Sequence, residues 1–158
     1  MDRLTHLDDA GDARMVDVSQ KPVTAREAQA RGRVLLSARA IAALRERTVP
    51  KGDALAVARI AGIQAAKRTP ELVPLAHPVA VHAVSVSLTV RDDGVDIQAE
   101  VRTADRTGIE MEALTSVSVA ALALVDMIKA VDKHARITDI RVTAKSGGRS
   151  GDWSEGDA

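Results

Sequence analysis

The chain has 158 residues, with 22 lysines and arginines balanced by 22 aspartates and glutamates, and no cysteine, phenylalanine or tyrosine. Its length suits one domain, since single cores commonly hold about 100–200 residues. The zero net charge excludes a global basic field for nucleic acid or an anionic membrane, and the missing cysteines exclude disulfides, thiolate zinc sites and thiol nucleophiles.

In chain order, residues 1–14 are polar and acidic and read as a flexible arm ahead of a single domain over 15–153, with a tail over 154–158. Four aspartates and no apolar stretch in Met1 to Asp12 argue against a secretory signal, and a cytoplasmic protein is expected. Met15 to Ser19 (MVDVS) alternates like a short strand, and Arg33 to Leu36 is a second strand candidate. Ser37 can cap a helix through Arg47, with Ile41 and Leu44 on one face. Pro50-Lys51-Gly52-Asp53 is a turn, and Asp53 can cap a helix over Ala54 to Lys67 that places Val57, Ile60, Ala61 and Gln64 on overlapping faces. Glu71 to Pro78 holds two prolines and reads as an extended loop. Val79 to Val90 alternates cleanly, Asp92-Asp93-Gly94 turns the chain, and Val95 to Arg102 returns as the second arm of a hairpin. Glu110 to Lys133 is a long helix, apolar almost all round and hence buried. Its longest nearly apolar run, Val117 to Val125, is too short to span a bilayer. Ile137 to Lys145 is a last, imperfect strand before a glycine-rich end. The sum is an α+β domain, an antiparallel sheet of about four strands with helices packed on one face. Its core must be Ala, Val, Ile and Leu, and a core so lean in contact area gains from burying surface between subunits, which predicts an oligomer.

Asp126 and Lys129 lie three apart on the long helix and share a face. A charge buried in so apolar a helix is costly unless paired, so the two are a structural ion pair, an exposed stripe near the helix end, or an acid/base pair on a cleft wall. Glu110 and Glu112 open the same helix, where acidic residues suit the positive end. His77 sits between prolines on a loop, either a general acid/base or an ordinary surface histidine. His6 and His82 carry no signal of their own. Lys51, Lys67, Arg68 and the run Lys145 to Gly151 form a basic set that reads as an anion nest or as solvated charge. No His, Asp or Glu spacing makes a metal cage.

Three blocks, KGDALAVARIAGIQAAKRTPELVPLAHP from Lys51, TGIEMEALTSVSVAALALVDMIK from Thr107 and KSGGRSGDW from Lys145, together with the MVDVS start, resemble one family. That family is cyclic pyranopterin monophosphate synthase (molybdenum cofactor biosynthesis protein C). The resemblance implies a ferredoxin-like fold. It also implies a lyase that converts 3′,8-cyclo-7,8-dihydroguanosine 5′-triphosphate to cyclic pyranopterin monophosphate with release of pyrophosphate. It further implies a homohexamer, a trimer of dimers with sites at subunit interfaces, acting on a small nucleotide-derived molecule rather than on nucleic acid or a membrane. No redox cofactor is needed, and magnesium could travel with the triphosphate. By position, Asp126, Lys129 and Lys51 match catalytic residues. Leu75, Ala76, His77, Glu110, Met111 and Glu112 match substrate-contacting stretches, with Lys67, Arg68 and Lys145 as cations for the leaving pyrophosphate. Ala76 stands where the family's loop usually has cysteine. A binding module without catalysis is the rival reading; an RNA-binding sheet would need aromatic platforms that this chain lacks.

Overall fold

The computed structural model of the chain describes residues 5–157. Strand β1 spans Thr24–Leu35, with Ala28, Ala30 and Val34 facing the core and Glu27, Gln29, Arg31 and Arg33 the other side. The strand is three times longer than the Arg33 to Leu36 expectation, because its inward positions ahead of Val34 are alanine and glycine, which leave a weak apolar rhythm. Helix α1 (Ala38–Glu46) follows, with the Ser37 hydroxyl accepting from Ala40 N at 3.2 Å, and ends at Arg47 in the left-handed region. Asp53 caps α2 (Ala54–Ala66) by accepting from Ala56 N at 3.1 Å. The short helix α3 (Thr69–Leu72) takes the first residues of the expected 71–78 loop, with Pro70 in its first turn.

Strands β2 (Ala83–Val90) and β3 (Gly94–Asp105) make the expected hairpin, although β2 starts four residues later than its sequence pattern. Helix α4 (Glu110–Ile128) crosses the sheet, and β4 (Arg136–Ser146) returns beside β1. Two register shifts in that pairing, one beside Asp139 at φ 59°, account for the imperfect alternation of β4. The glycine-rich end adds a two-residue strand, β5 (Trp153–Ser154), and a 3-10 turn over Glu155–Asp157. Met15 to Ser19 is not a strand: the segment runs past the domain without a pairing partner among the described residues, and alternation alone does not supply one.

All pairs are antiparallel and the order is β2-β3-β1-β4-β5. Without the short fifth strand this is the ferredoxin-like arrangement, two β-α-β halves with β1 and β3 in the centre. Helix α4 lies on β1, β3 and β4, and α2 packs along α4. The core between them is aliphatic, led by Ile97, Ile109, Leu124 and Ile128. The helices approach closely: a Cβ on Gly62 of α2 would sit 3.0 Å from Ser116 O and 3.1 Å from Ala120 Cβ of α4. Taken whole, α4 is long and apolar enough to cross a bilayer, but half of it is buried inside the protein as the core helix. The uncovered sheet face is polar, and Arg33 with Asp96 (2.6 Å) and Arg102 with Glu27 (2.9 Å) are directly opposed cross-strand ion pairs.

Candidate active site

Helix α4 carries a cluster of candidate site residues at each end. At its C-terminal end Asp126 receives two ammonium groups. Lys129, one turn on, places Nζ 2.9 Å from Oδ1, and Lys51 places Nζ 3.1 Å from both carboxylate oxygens. Lys51 reaches this point because its turn is braced on both sides. Gly52 N donates to Val49 O at 3.0 Å, Val49 is buried, and Asp53 begins α2. The Lys129 hydrogen bond, then that of Lys51, holds the Asp126 carboxyl below the usual carboxylate range. The cluster is open to solvent, with side-chain exposures of 41% for Lys51, 56% for Asp126 and 58% for Lys129. The alternative of an exposed stripe near the helix end is the one observed: Met127 and Ile128 take the core side of this turn, and Asp126 faces out. Exposed ion pairs add little stability. What the arrangement does provide is two proton donors held together at an open surface by one anion.

At the N-terminal end, a cavity of about 480 Å³ is bounded by Val73, Leu75, Ala76 and His77 on one side and Thr107 to Glu112 on the other, with His6 and Val16 completing it. His77 Nε2 hydrogen-bonds the Val16 carbonyl. Glu112 is only 3% exposed, and among the described residues nothing donates to its Oε2. Burial pushes its carboxyl up to about 7 against the pull of its own helix amide, and the nearby charge of Glu110 adds to the rise. Glu110 is half-buried too, and burial is the largest single influence on it, but Lys145 Nζ at 2.9 Å, the residue's own helix amide and the charge of Arg26 together keep its carboxyl below the ordinary value. Lys145 is also 2.5 Å from Ser150 Oγ, so the glycine-rich loop folds around this pair. Lys67 and Arg68 lie exposed at the end of α2 and line neither cluster.

The structure thus gathers Leu75, Ala76, His77, Glu110, Met111 and Glu112 around one cavity and Lys51, Asp126 and Lys129 at another place. Fourteen residues of α4 separate Glu112 from Asp126, about 21 Å at 1.5 Å per residue. Within one chain the two clusters therefore lie at opposite ends of α4. His6, Val16 and Val73 were missed as cavity residues; only the folding back of the N-terminal segment brings the first two there.

The sequence profile described as the MoaC family matches residues 15–148. The chain belongs to the MoaC family. Its relatives agree over nearly the whole length. This MoaC-family chain is 67% identical over 153 residues to a protein of Streptomyces avermitilis named cyclic pyranopterin monophosphate synthase, covering 97% of this chain and 90% of that one. It is 68% identical over 151 residues to the protein of that name from Streptomyces griseus (96% and 85% covered). With the one from Chloroflexus aurantiacus it shares 57% over 152 residues (95% and 93% covered). Both clusters of the MoaC-family chain fall inside the profile-matched span, apart from His6.

Proposed function

We infer that this chain is a cyclic pyranopterin monophosphate synthase of molybdenum cofactor biosynthesis. It is a lyase that takes 3′,8-cyclo-7,8-dihydroguanosine 5′-triphosphate to cyclic pyranopterin monophosphate and pyrophosphate. The names of relatives at 67% identity support the reaction. The observation that carries its chemistry is the convergence of Lys51 and Lys129 on Asp126. Opening a purine-derived ring and reclosing it as a pterin needs proton transfers, which two positioned ammonium groups can supply while the aspartate fixes their direction. The apolar cavity with Glu112 and His77 suits the ring, and Lys67 and Arg68, which pair with no acid among the described residues, suit the departing pyrophosphate. Lys145 acts there only in company with Glu110.

The two ends of α4 serve one site if a second copy supplies the missing half. About a twofold axis perpendicular to α4, the two copies of the helix run antiparallel, and this reading takes that axis so that the Asp126 end of one lies beside the Met111 end of the other. An exposed apolar stripe supports that packing: Met111 (43%) and Leu122 (60%) on α4, Val57 (43%) and Ile60 (56%) on α2. Alanines take the packed face of α2 and leave these two larger residues outside. Three such dimers make the hexamer of this reading. No resident metal or redox cofactor enters it, and a divalent ion, where one takes part, arrives on the triphosphate. This reading is of a cytoplasmic enzyme. The test is pyrophosphate release from the purified protein with the cyclic triphosphate and the product identified by mass; binding without release leaves a non-catalytic module.

A further inference from the structure

The chain ahead of Met15 lies outside the span matched to the family, yet it supplies part of the cavity wall. Residues 6–14 form a closed hook. The Asp8 carboxylate accepts from Ala10 N at 2.9 Å and Asp12 N at 3.0 Å, and Arg14 N donates to His6 O at 2.8 Å. Leu7 and Ala13 bridge across it, and Gly11 turns it at φ 89°, a region that favours glycine. The amides of Asp12 and Ala10 hold the Asp8 carboxyl below its ordinary value, as a built turn does. Two residues after the hook, the Val16 carbonyl is taken by His77.

Burial of apolar surface does not explain where the hook sits, because from Thr5 to Met15 every residue but Leu7 is exposed. What its placement does achieve is to bring His6 into the lining of the cavity that the start of α4 also lines. His6 Nδ1 lies 3.4 Å from Arg14 O; in the tautomer that donates there, Nε2 keeps a free lone pair. The cavity's other polar groups include the Glu112 carboxyl, and its remaining walls are largely apolar. Carboxyls repel phosphate oxygens but suit a ring edge carrying N–H groups.

We propose that His6 is a further substrate-contacting residue, accepting through Nε2 a hydrogen bond from the heterocyclic part of the substrate, in the cavity that Glu112 also lines. The proposal rests on the synthase reading. It is tested on the full-length assembled protein by steady-state pyrophosphate release from wild type, His6→Ala and His6→Gln. His6→Ala should raise KM about tenfold, the worth of one hydrogen bond, and lower kcat by less than about threefold. His6→Gln, whose amide oxygen still accepts, should recover a substantial part of that loss, and the thermal midpoints of both should match wild type. A KM unchanged in His6→Ala, or an equal loss in both variants, overturns the contact and leaves the synthase reading standing. Absence of release by wild type overturns the synthase reading, and the proposal with it.

Discussion

Glu110 and Glu112 differ by two positions on one helix and meet opposite fates. Glu110 turns to Lys145 and stays ionised, whereas Glu112 turns into the cavity, where burial keeps its proton until about pH 7. The unfolded carboxyl loses its proton near 4.5, so between the two values the folded state binds more protons. Stability from this group is therefore full below pH 4.5 and lost as pH rises through about 7. Over that window the loss is on the order of 3 kcal/mol. Glu112→Gln should remove this slope, and urea midpoints at pH 5 and pH 8 check it; a variant as pH-dependent as wild type would sink the assignment. At the other end of the helix, Lys129→Ala should abolish turnover while leaving assembly intact. Near-normal pyrophosphate release by an assembled Lys129→Ala protein would remove Lys129 from the chemistry.

At the scale of elements, the fold depends on how closely two alanine-rich helices approach. Gly62 lets α2 reach the backbone of α4 at Ser116, and Ala58, Ala65, Ala113 and Ala120 line the contact region with small side chains. Gly62→Val forces atoms into a gap of about 3 Å and should cost on the order of 2 kcal/mol, read as a lower thermal midpoint. An unchanged midpoint would mean that the helices can separate freely. This packing also explains which elements were legible. The hairpin β2–β3 was clear because its branched inward residues alternate with serine, threonine and charge. Strand β1 was mostly hidden because its inward residues are small. Which face of α2 packs was not legible, because close packing selects Ala58 and Gly62 and leaves the larger Val57 and Ile60 outside.

At the scale of the molecule, the proposed reading makes the two clusters at the ends of α4 separated halves of one site. If they meet across a twofold axis, two inactive proteins should repair each other: Lys129→Ala mixed with His77→Ala after dissociation should regain up to about a quarter of wild-type activity, since random pairing leaves one intact site in each mixed dimer. Co-refolding followed by a pyrophosphate assay measures it, and no recovery from properly assembled mixtures would place both halves' work within single chains. The exposed apolar residues of α2 and α4 should become protected from solvent exchange and labelling in the same assembly.

From the sequence alone came the family, the α+β class, both helix caps, the Lys51 turn and the residue types at each end of α4, because motifs, caps and turns are written in residues a few positions apart. Only the tertiary structure decided that Asp126 faces solvent, that Lys51 rather than Lys129 alone grips it, that Glu112 is shut away beside its paired neighbour, and that His6 reaches the cavity. Each of those depends on which surface a distant segment covers. Periodicity along a chain carries no record of that, since it reports a residue's face but not what comes to lie against it.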